Sequence, residues 1–259
     1  MNIVRALFFR KWIIATIFVL FGTVLCVGLG IWQLDRLAQR QAFNQHYLEI
    51  TMSSPLNVKV FPKVDMTTME YRLISVTGIF DQTNNIVVRN QFHDGQPGYF
   101  LLTPLVLTDG TAIIIERGWI PAVGNSNPSD WHQYDEKGLI TINGIIRLGQ
   151  AQPGVGGIPD PLLTTGQNRL DFWNQINLER IAQQVPYKLA QVYVQPNPEP
   201  VPASPPYPYQ PVIEISDGPH LGYAIQWFIF ASILVIGYPF FLQRQLTHRV
   251  LITKLENEL

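Results

Sequence analysis

Two stretches without charge constrain this 259-residue chain more than any other feature. Residues 12–31 contain no Asp, Glu, Lys, Arg or His, and residues 221–242 are uncharged again, with Gln226 and Ser232 among their few polar positions. A helix rises about 1.5 Å per residue, so each run reaches across the roughly 30 Å of hydrocarbon in a bilayer. Two transmembrane helices are expected, at 12–31 and 221–242.

The first run has a competing reading as a cleaved signal peptide, because Arg5, Arg10 and Lys11 form a basic leader. It exceeds the roughly 7 to 15 residues of a signal h-region, and Gly30-Ile31-Trp32 is a poor small-residue cleavage site. A retained helix is expected. The eleven residues before it are too few for a transit peptide, which points to a bacterial plasma membrane. Residues 1–11 are basic only, and residues 243–259 carry Arg244, Arg249 and Lys254 against Glu256 and Glu258. By the positive-inside rule both ends are expected in the cytoplasm. The segment 32–220, with 12 basic and 17 acidic residues, is then a periplasmic domain.

Over the whole chain 18 basic residues meet 19 acidic ones, which removes the basic excess that nucleic-acid binding requires. The single cysteine, Cys26, forbids an internal disulfide, and no Cys or His cluster has zinc spacing.

Within 32–220 a helical continuation over Gln33 to Glu49 gives way to β-branched and aromatic runs broken by turn residues. Strands are expected over Tyr71–Phe80, Ile86–Asn90, Tyr99–Leu107, Thr111–Glu116 and Leu139–Leu148, with short late ones at Val192, Val194 and Val212–Ile215. Pro104 marks the third run as an edge strand or a bulge. Asp109-Gly110 is a hairpin signal. Leu178, Ile181, Ala182 and Val185 recur at helical spacing, with Asn177 as the N-cap and Pro186 just past the end. Eight of the sixteen residues in 196–211 are proline, the composition of a stiff extended tether. The fold class expected is a membrane protein in which two transmembrane helices flank a mostly antiparallel β (α+β) periplasmic domain.

Catalytic motifs are absent: there is no nucleophile elbow, HExxH helix, P-loop or dinucleotide fingerprint. Ser126, Ser129, Asp130 and His132 cluster in a stretch that reads as a capped loop, and Gly154-Val155-Gly156-Gly157 as a flexible one. The membrane edges say more. Trp32, Gln33 and Arg36 follow the first run, while His220, Tyr223 and Trp227 fall near one face at the start of the second. An imidazole at that height can ligate a haem iron. The alternative is an interfacial belt of amphipathic side chains, which accounts well for Trp and Tyr. Small residues on the two runs (Gly22, Gly28, Gly30; Gly222, Ala224, Ala231) suit close helix packing, or a groove for an apolar ligand.

Four motifs in order carry a resemblance. Gly30-Ile31-Trp32-Gln33-Leu34-Asp35-Arg36, Glu70-Tyr71-Arg72 with Gly78 and Phe80, Glu116-Arg117-Gly118-Trp119-Ile120-Pro121, and His220-Leu221-Gly222-Tyr223-Ala224-Ile225-Gln226-Trp227-Phe228 resemble the motif series of the Surfeit-locus protein 1 family. With both runs they cover nearly the whole chain. Arg40 stands where that family usually has a lysine.

The resemblance implies a non-enzymatic assembly factor for cytochrome c oxidase that promotes haem a insertion into the catalytic subunit. It implies haem a as cofactor, with His220 aligned to the histidine proposed as its ligand in bacterial relatives. The partners implied are the oxidase catalytic subunit, haem A synthase and the lipid bilayer. Arg36 is expected to pair a propionate, and Trp32, Tyr223 and Trp227 to line the cofactor. Arg117 and Trp119 are open to two readings, a protein-facing hot spot or a structural turn with Trp119 in the core. A rival class is a cofactor-free periplasmic module, such as a sensor or a polysaccharide chain-length regulator. The seventeen residues after Leu242 cannot supply a sensor's output domain, and a chain-length regulator's outer domain is built on long helices.

Overall fold

The computed structural model describes residues 9–61, 64–163 and 166–256. Arg5 and Glu258, used in the charge argument, lie outside these, and for Arg249, Lys254 and Glu256 only the helical backbone is described. The chain divides into two compact units, residues 1–46 with 214–259, and residues 47–213.

The first unit is a helix hairpin. Helix α1 spans Ile13–Met52 and ends three residues before Pro55, whose ring disfavours helix in the residue preceding it. A second long helix, His220–Glu256, continues through Pro239. Both carry a stretch long and apolar enough to cross a membrane. Their contacts run in opposite directions along the two sequences. Trp12 meets Phe241 edge-to-face at 5.8 Å, Thr16 Oγ1 and Tyr238 Oη share a hydrogen bond of 2.8 Å, and Gly30 faces the ring of Phe228. The pair is therefore antiparallel. Gly22, Gly30, Ala224 and Ala231 lie in the seam as their small size suggests. Gly28 and Gly222 face open space instead. Outward positions are large and apolar, among them Phe18, Phe21, Val24, Ile225, Ile229 and Ile233.

The second unit is a sheet of eight strands: β1 (Leu56–Val58), β2 (Leu73–Phe80), β3 (Ile86–His93), β4 (Gln96–Val106), β5 (Ala112–Pro121), β6 (Ile140–Leu148), β7 (Phe172–Trp173) and β8 (Leu189–Pro196). Their order is β1-β2-β6-β8-β5-β4-β3-β7, and a further pairing of β2 with β4 closes five of them into a small barrel. Most pairings are antiparallel, while β1–β2, β3–β7 and β5–β8 are parallel.

Ile74, Val76, Leu105, Ile113, Ile115, Ile146, Val192 and Val194 belong to one apolar core, which also takes in Phe80. A second core joins Ile86, Val88, Leu102, Ala112, Ile114 and Trp173 to Leu178 and Ile181 of the short helix α2 (Leu178–Ala182). Strand β5 alternates between the two cores and is buried on both faces, hence its uninterrupted apolar run. The expected N-cap is in place, with Asn177 Oδ1 accepting from the Arg180 amide at 3.2 Å. The hairpin at Asp109-Gly110 also forms, with Gly110 at φ +79°. No long helix lies among the described residues of 53–213, unlike a chain-length regulator.

Several expectations are corrected. Strand β4 is central, not an edge. Pro104 is tolerated because the ladder on that side changes partner around it, from β3 at Leu102 to β2 at Leu105. Val212–Ile215 forms no strand; Val212 and Ile215 are exposed and Ile213 is half-buried. The capped loop expected around Ser126, Ser129, Asp130 and His132 is capped by Asn127 and Asp130, and its residues Pro128–Tyr134 form a 3₁₀ turn that buries Trp131. Finally, 196–211 is packed onto the sheet. Tyr207 exchanges two backbone hydrogen bonds with Trp119, at 2.8 and 2.9 Å, and Tyr209 stacks on Phe100. Past Ile115 strand β5 has lost β8 as its partner, and Tyr207 takes over that role.

Candidate functional site

The start of the second long helix, which we number α3 (His220–Glu256), brings together most of the residues expected at the membrane edge. His220 is half-buried beside Gln33 of α1, and its Nδ1 lies 2.8 Å from Gln33 Oε1. The amide oxygen can only accept, so Nδ1 donates and the lone pair of a neutral ring resides on Nε2. An imidazole held this way has its tautomer and its plane set in advance, as histidine ligands of metals generally do.

One turn further along α1, Arg36 is exposed. Its Nη1 donates to Gln39 Oε1 at 3.0 Å, and its guanidinium lies 5.6 Å from the ring of Trp32. No carboxylate holds it among the described ion pairs. On α3, Tyr223 is exposed and Trp227 half-buried, edge-to-face with Phe230 at 5.9 Å. An imidazole, a guanidinium and three aromatic rings thus share one end of the hairpin.

Further residues build this end. Arg40 Nε and Nη2 donate to the carbonyl oxygens of Ser216 and Glu214 at 3.0 and 2.7 Å, a fork across two acceptors that a lysine ammonium cannot reproduce in plane. Asp217 accepts from Gln41 Nε2 at 2.9 Å. Gly218, at φ +66°, comes so close to the imidazole that a Cβ would lie 3.3 Å from His220 Cδ2. Sequence reasoning placed Gln33 beside Trp32 and Arg36 but gave it no role, and it did not single out Gly218. The available signal was that Gln33 is among the first polar side chains after the apolar run.

These residues fit an axially ligated porphyrin better than a bare metal ion. Among the described residues no cluster of three or more His, Cys, Asp or Glu could hold a metal by itself. A porphyrin supplies four ligands of its own and asks the protein for one or two.

Arg117 and Trp119 lie in the other unit and are enclosed. Arg117 is the extra residue of a bulge in β5, where Glu116 and Gly118 face the consecutive residues Leu102 and Leu101 of β4. Its Nη2 donates to the Tyr134 carbonyl and to Glu136, and its guanidinium lies 4.9 Å from the Phe80 ring. Desolvation lowers its pKa, opposed by Glu136 and Asp135. Trp119 is 4% exposed, in a stack with Tyr207 and His93. Of the two readings, this enclosure fits a structural turn with Trp119 in the core, beneath the proline-rich strap.

The model of the SURF1 family matches residues 20–232, a range that includes His220, Gln33 and all four sequence motifs. The chain belongs to the SURF1 family. An uncharacterised SURF1-like protein of Mycobacterium bovis is 26% identical over 250 residues, covering 92% of this chain and 86% of that one. Surfeit locus protein 1 of Arabidopsis thaliana is 24% identical, over 82% of this chain and 73% of its own. The rat Surfeit locus protein 1 is 25% identical over about half of each, 51% and 47%. SURF1 membership thus agrees with the resemblance read from the motifs.

Proposed function

We propose that the protein is an assembly factor for haem-copper cytochrome c oxidase that holds haem a at the end of its helix hairpin and promotes delivery to the catalytic subunit. The observation that carries this reading is the hydrogen bond from His220 Nδ1 to Gln33, which presents Nε2 as a ready ligand. Haem a, when bound, would supply the iron that His220 ligates and the propionates that call for a cation.

In this reading α1 and α3 span the inner membrane of a bacterium, both termini are cytoplasmic and the sheet unit is periplasmic. The apolar outward faces of the helices support immersion in lipid, and the basic flanks support the orientation. His220 and Gln33 sit at the interface, where Arg36 can snorkel to the headgroups and pair a propionate. Trp32, Tyr223 and Trp227 flank the position as apolar walls. The protein acts as a carrier and not as an enzyme. Its partners are the oxidase catalytic subunit, which receives the haem, and haem A synthase, which supplies it.

The test is the optical spectrum and pyridine haemochrome content of detergent-purified protein from cells that make haem A. A stoichiometric haem a signal that disappears in His220→Ala is expected. A folded sample without haem, or a signal unchanged in His220→Ala, would overturn the carrier reading.

A further inference from the structure

The sheet unit contains a buried carboxyl group that neither the fold nor the haem site employs. Glu116, on β5, is 2% exposed, and its Oε1 accepts from Gln195 Nε2 at 3.0 Å. Among the described residues no hydrogen bond reaches its Oε2, which is not fully enclosed. The side chain lines a cleft of 290 Å³ whose walls include Phe100, Tyr193 and Tyr209. In the same wall Gln175 Oε1 is buried without a donor.

The charge balance of the cleft is uneven. Arg147 is directed elsewhere: its Nε donates to Glu70 Oε1 at 3.2 Å, its Nη1 to Gln195 Oε1 at 3.0 Å, and its guanidinium lies 4.9 Å from the Tyr71 ring. Arg147 pairs with Glu70 and also attracts Glu116, so the three groups together carry one net negative charge when Glu116 is ionised. A net charge and a buried acceptor without a donor are costly in a desolvated site. The enclosed oxygen of Gln175, the free oxygen of Glu116, the net negative charge and the aromatic walls match a group that only donates and carries a single positive charge. An anion would meet Glu116 and Glu70, with one guanidinium already shared.

We propose that this cleft binds one guanidinium or alkylammonium group, whose donors reach the open oxygen of Glu116 and the carbonyl oxygen of Gln175 beside the rings of Tyr209 and Phe100. The group comes from a small amine or from an arginine or lysine side chain of a partner protein, two sources with one chemistry. The site lies within the sheet unit and does not rest on the haem reading.

Binding is coupled to a proton. Burial pushes the Glu116 carboxyl up to about 8, against the pull of the Gln195 donor and of Arg147. Besides Arg147 on β6, the ionisable groups around it are Tyr193 on β8, Glu70 and Tyr71 before β2, and Tyr209 of the strap. At neutral pH the carboxyl holds its proton, and the incoming cation displaces it. Affinity then rises about tenfold per pH unit well below 8, or about fiftyfold between pH 6 and pH 8.

The experiment is calorimetric titration of the detergent-solubilised full chain with N-acetyl-L-arginine amide, and separately with a blocked Gly-Gly-Arg-Gly-Gly peptide. One saturable site is expected, with that pH dependence. Glu116→Gln, checked for folding by thermal melting, should weaken binding at pH 8 at least tenfold and remove the pH dependence. Tyr209→Ala, outside the strands, should weaken it severalfold. Equal affinity for both probes assigns a small amine, and tighter binding of the peptide assigns a partner's side chain. Absence of binding by either probe, equal binding of the neutral citrulline analogue, or affinity unchanged in Glu116→Gln would overturn the proposal.

Discussion

His220 Nδ1 and Gln33 Oε1 stand 2.8 Å apart although 187 residues separate them in the chain. The bond joins the end of the first apolar run to the start of the second, and it leaves the lone pair of a neutral ring on Nε2, the nitrogen that ligates haem in the proposed function. Gln33→Leu removes the acceptor while preserving approximate volume. Haem affinity should fall tenfold to a hundredfold, in line with the usual cost of losing a group that orients a ligand. Gln33→Glu, which retains an acceptor, should keep most of it. Haem titration monitored in the Soret region separates the two, and equal affinity in all three proteins would show that the bond does not prepare the ligand.

Gly30 tests the helix seam. A Cβ there would lie 2.8 Å from two atoms of the Phe228 ring. Gly30→Leu should destabilise the hairpin by about 1–3 kcal/mol through overpacking. Adding Phe228→Ala should restore part of that loss, a coupling that thermal melts of the single and double variants measure.

Gly118 tests the strap. It adopts φ +132°, and a Cβ would come within 2.3 Å of the Tyr207 carbonyl oxygen. Backbone strain of this kind costs on the order of 1–3 kcal/mol, and the clash adds to it. Gly118→Ala should lower Tm by roughly 5–10 °C and speed amide exchange at Trp119 and Tyr207. An unchanged exchange rate at both amides would mean that the strap is not held there.

Glu116 sets a pH dependence of stability. The folded state raises its pKa from 4.5 to about 8, so between these values the native protein keeps a proton that the unfolded chain releases. The contribution to stability is fully present below pH 4.5 and is lost as pH rises to about 8, at about 1.4 kcal/mol per pH unit. Glu116→Gln should remove this slope and be more stable than the wild type at pH 8. Denaturant melts from pH 5 to pH 9 give the sign directly, and parallel curves for the two proteins would contradict it.

Much of this architecture could be read locally. The apolar runs, the hairpin at Asp109-Gly110 and the Asn177 cap announce themselves within a few residues, because spacing and turn chemistry act at that range. What escaped was non-local. The barrel closes through Ile79↔Val106 and Phe80↔Leu105, a contact no window of sequence contains. Val212–Ile215 is rich in β-branched residues yet joins no strand of the sheet. Prolines in 196–211 signal stiffness, yet the anchoring by Tyr207 depends on Trp119, far away on β5. At the site, the aromatic and charged residues at the ends of the apolar runs were legible as a group. The partner of His220 required knowing that the helices run antiparallel.

Strand β8 lies between β6 and β5, yet it is the last strand of the barrel in the chain. A polypeptide made from its N-terminus therefore carries an open sheet, β6-β2-β4-β5, with unpaired edges at β6 and β5 until residue 196 has emerged. Each of those edges is a template for pairing with other chains. A product that stops before Leu189 cannot close the barrel, whereas one that stops just after Pro196 already contains every stave. The vulnerable interval in the life of this molecule is thus its own synthesis, and premature termination over this interval should yield aggregates instead of a smaller working protein.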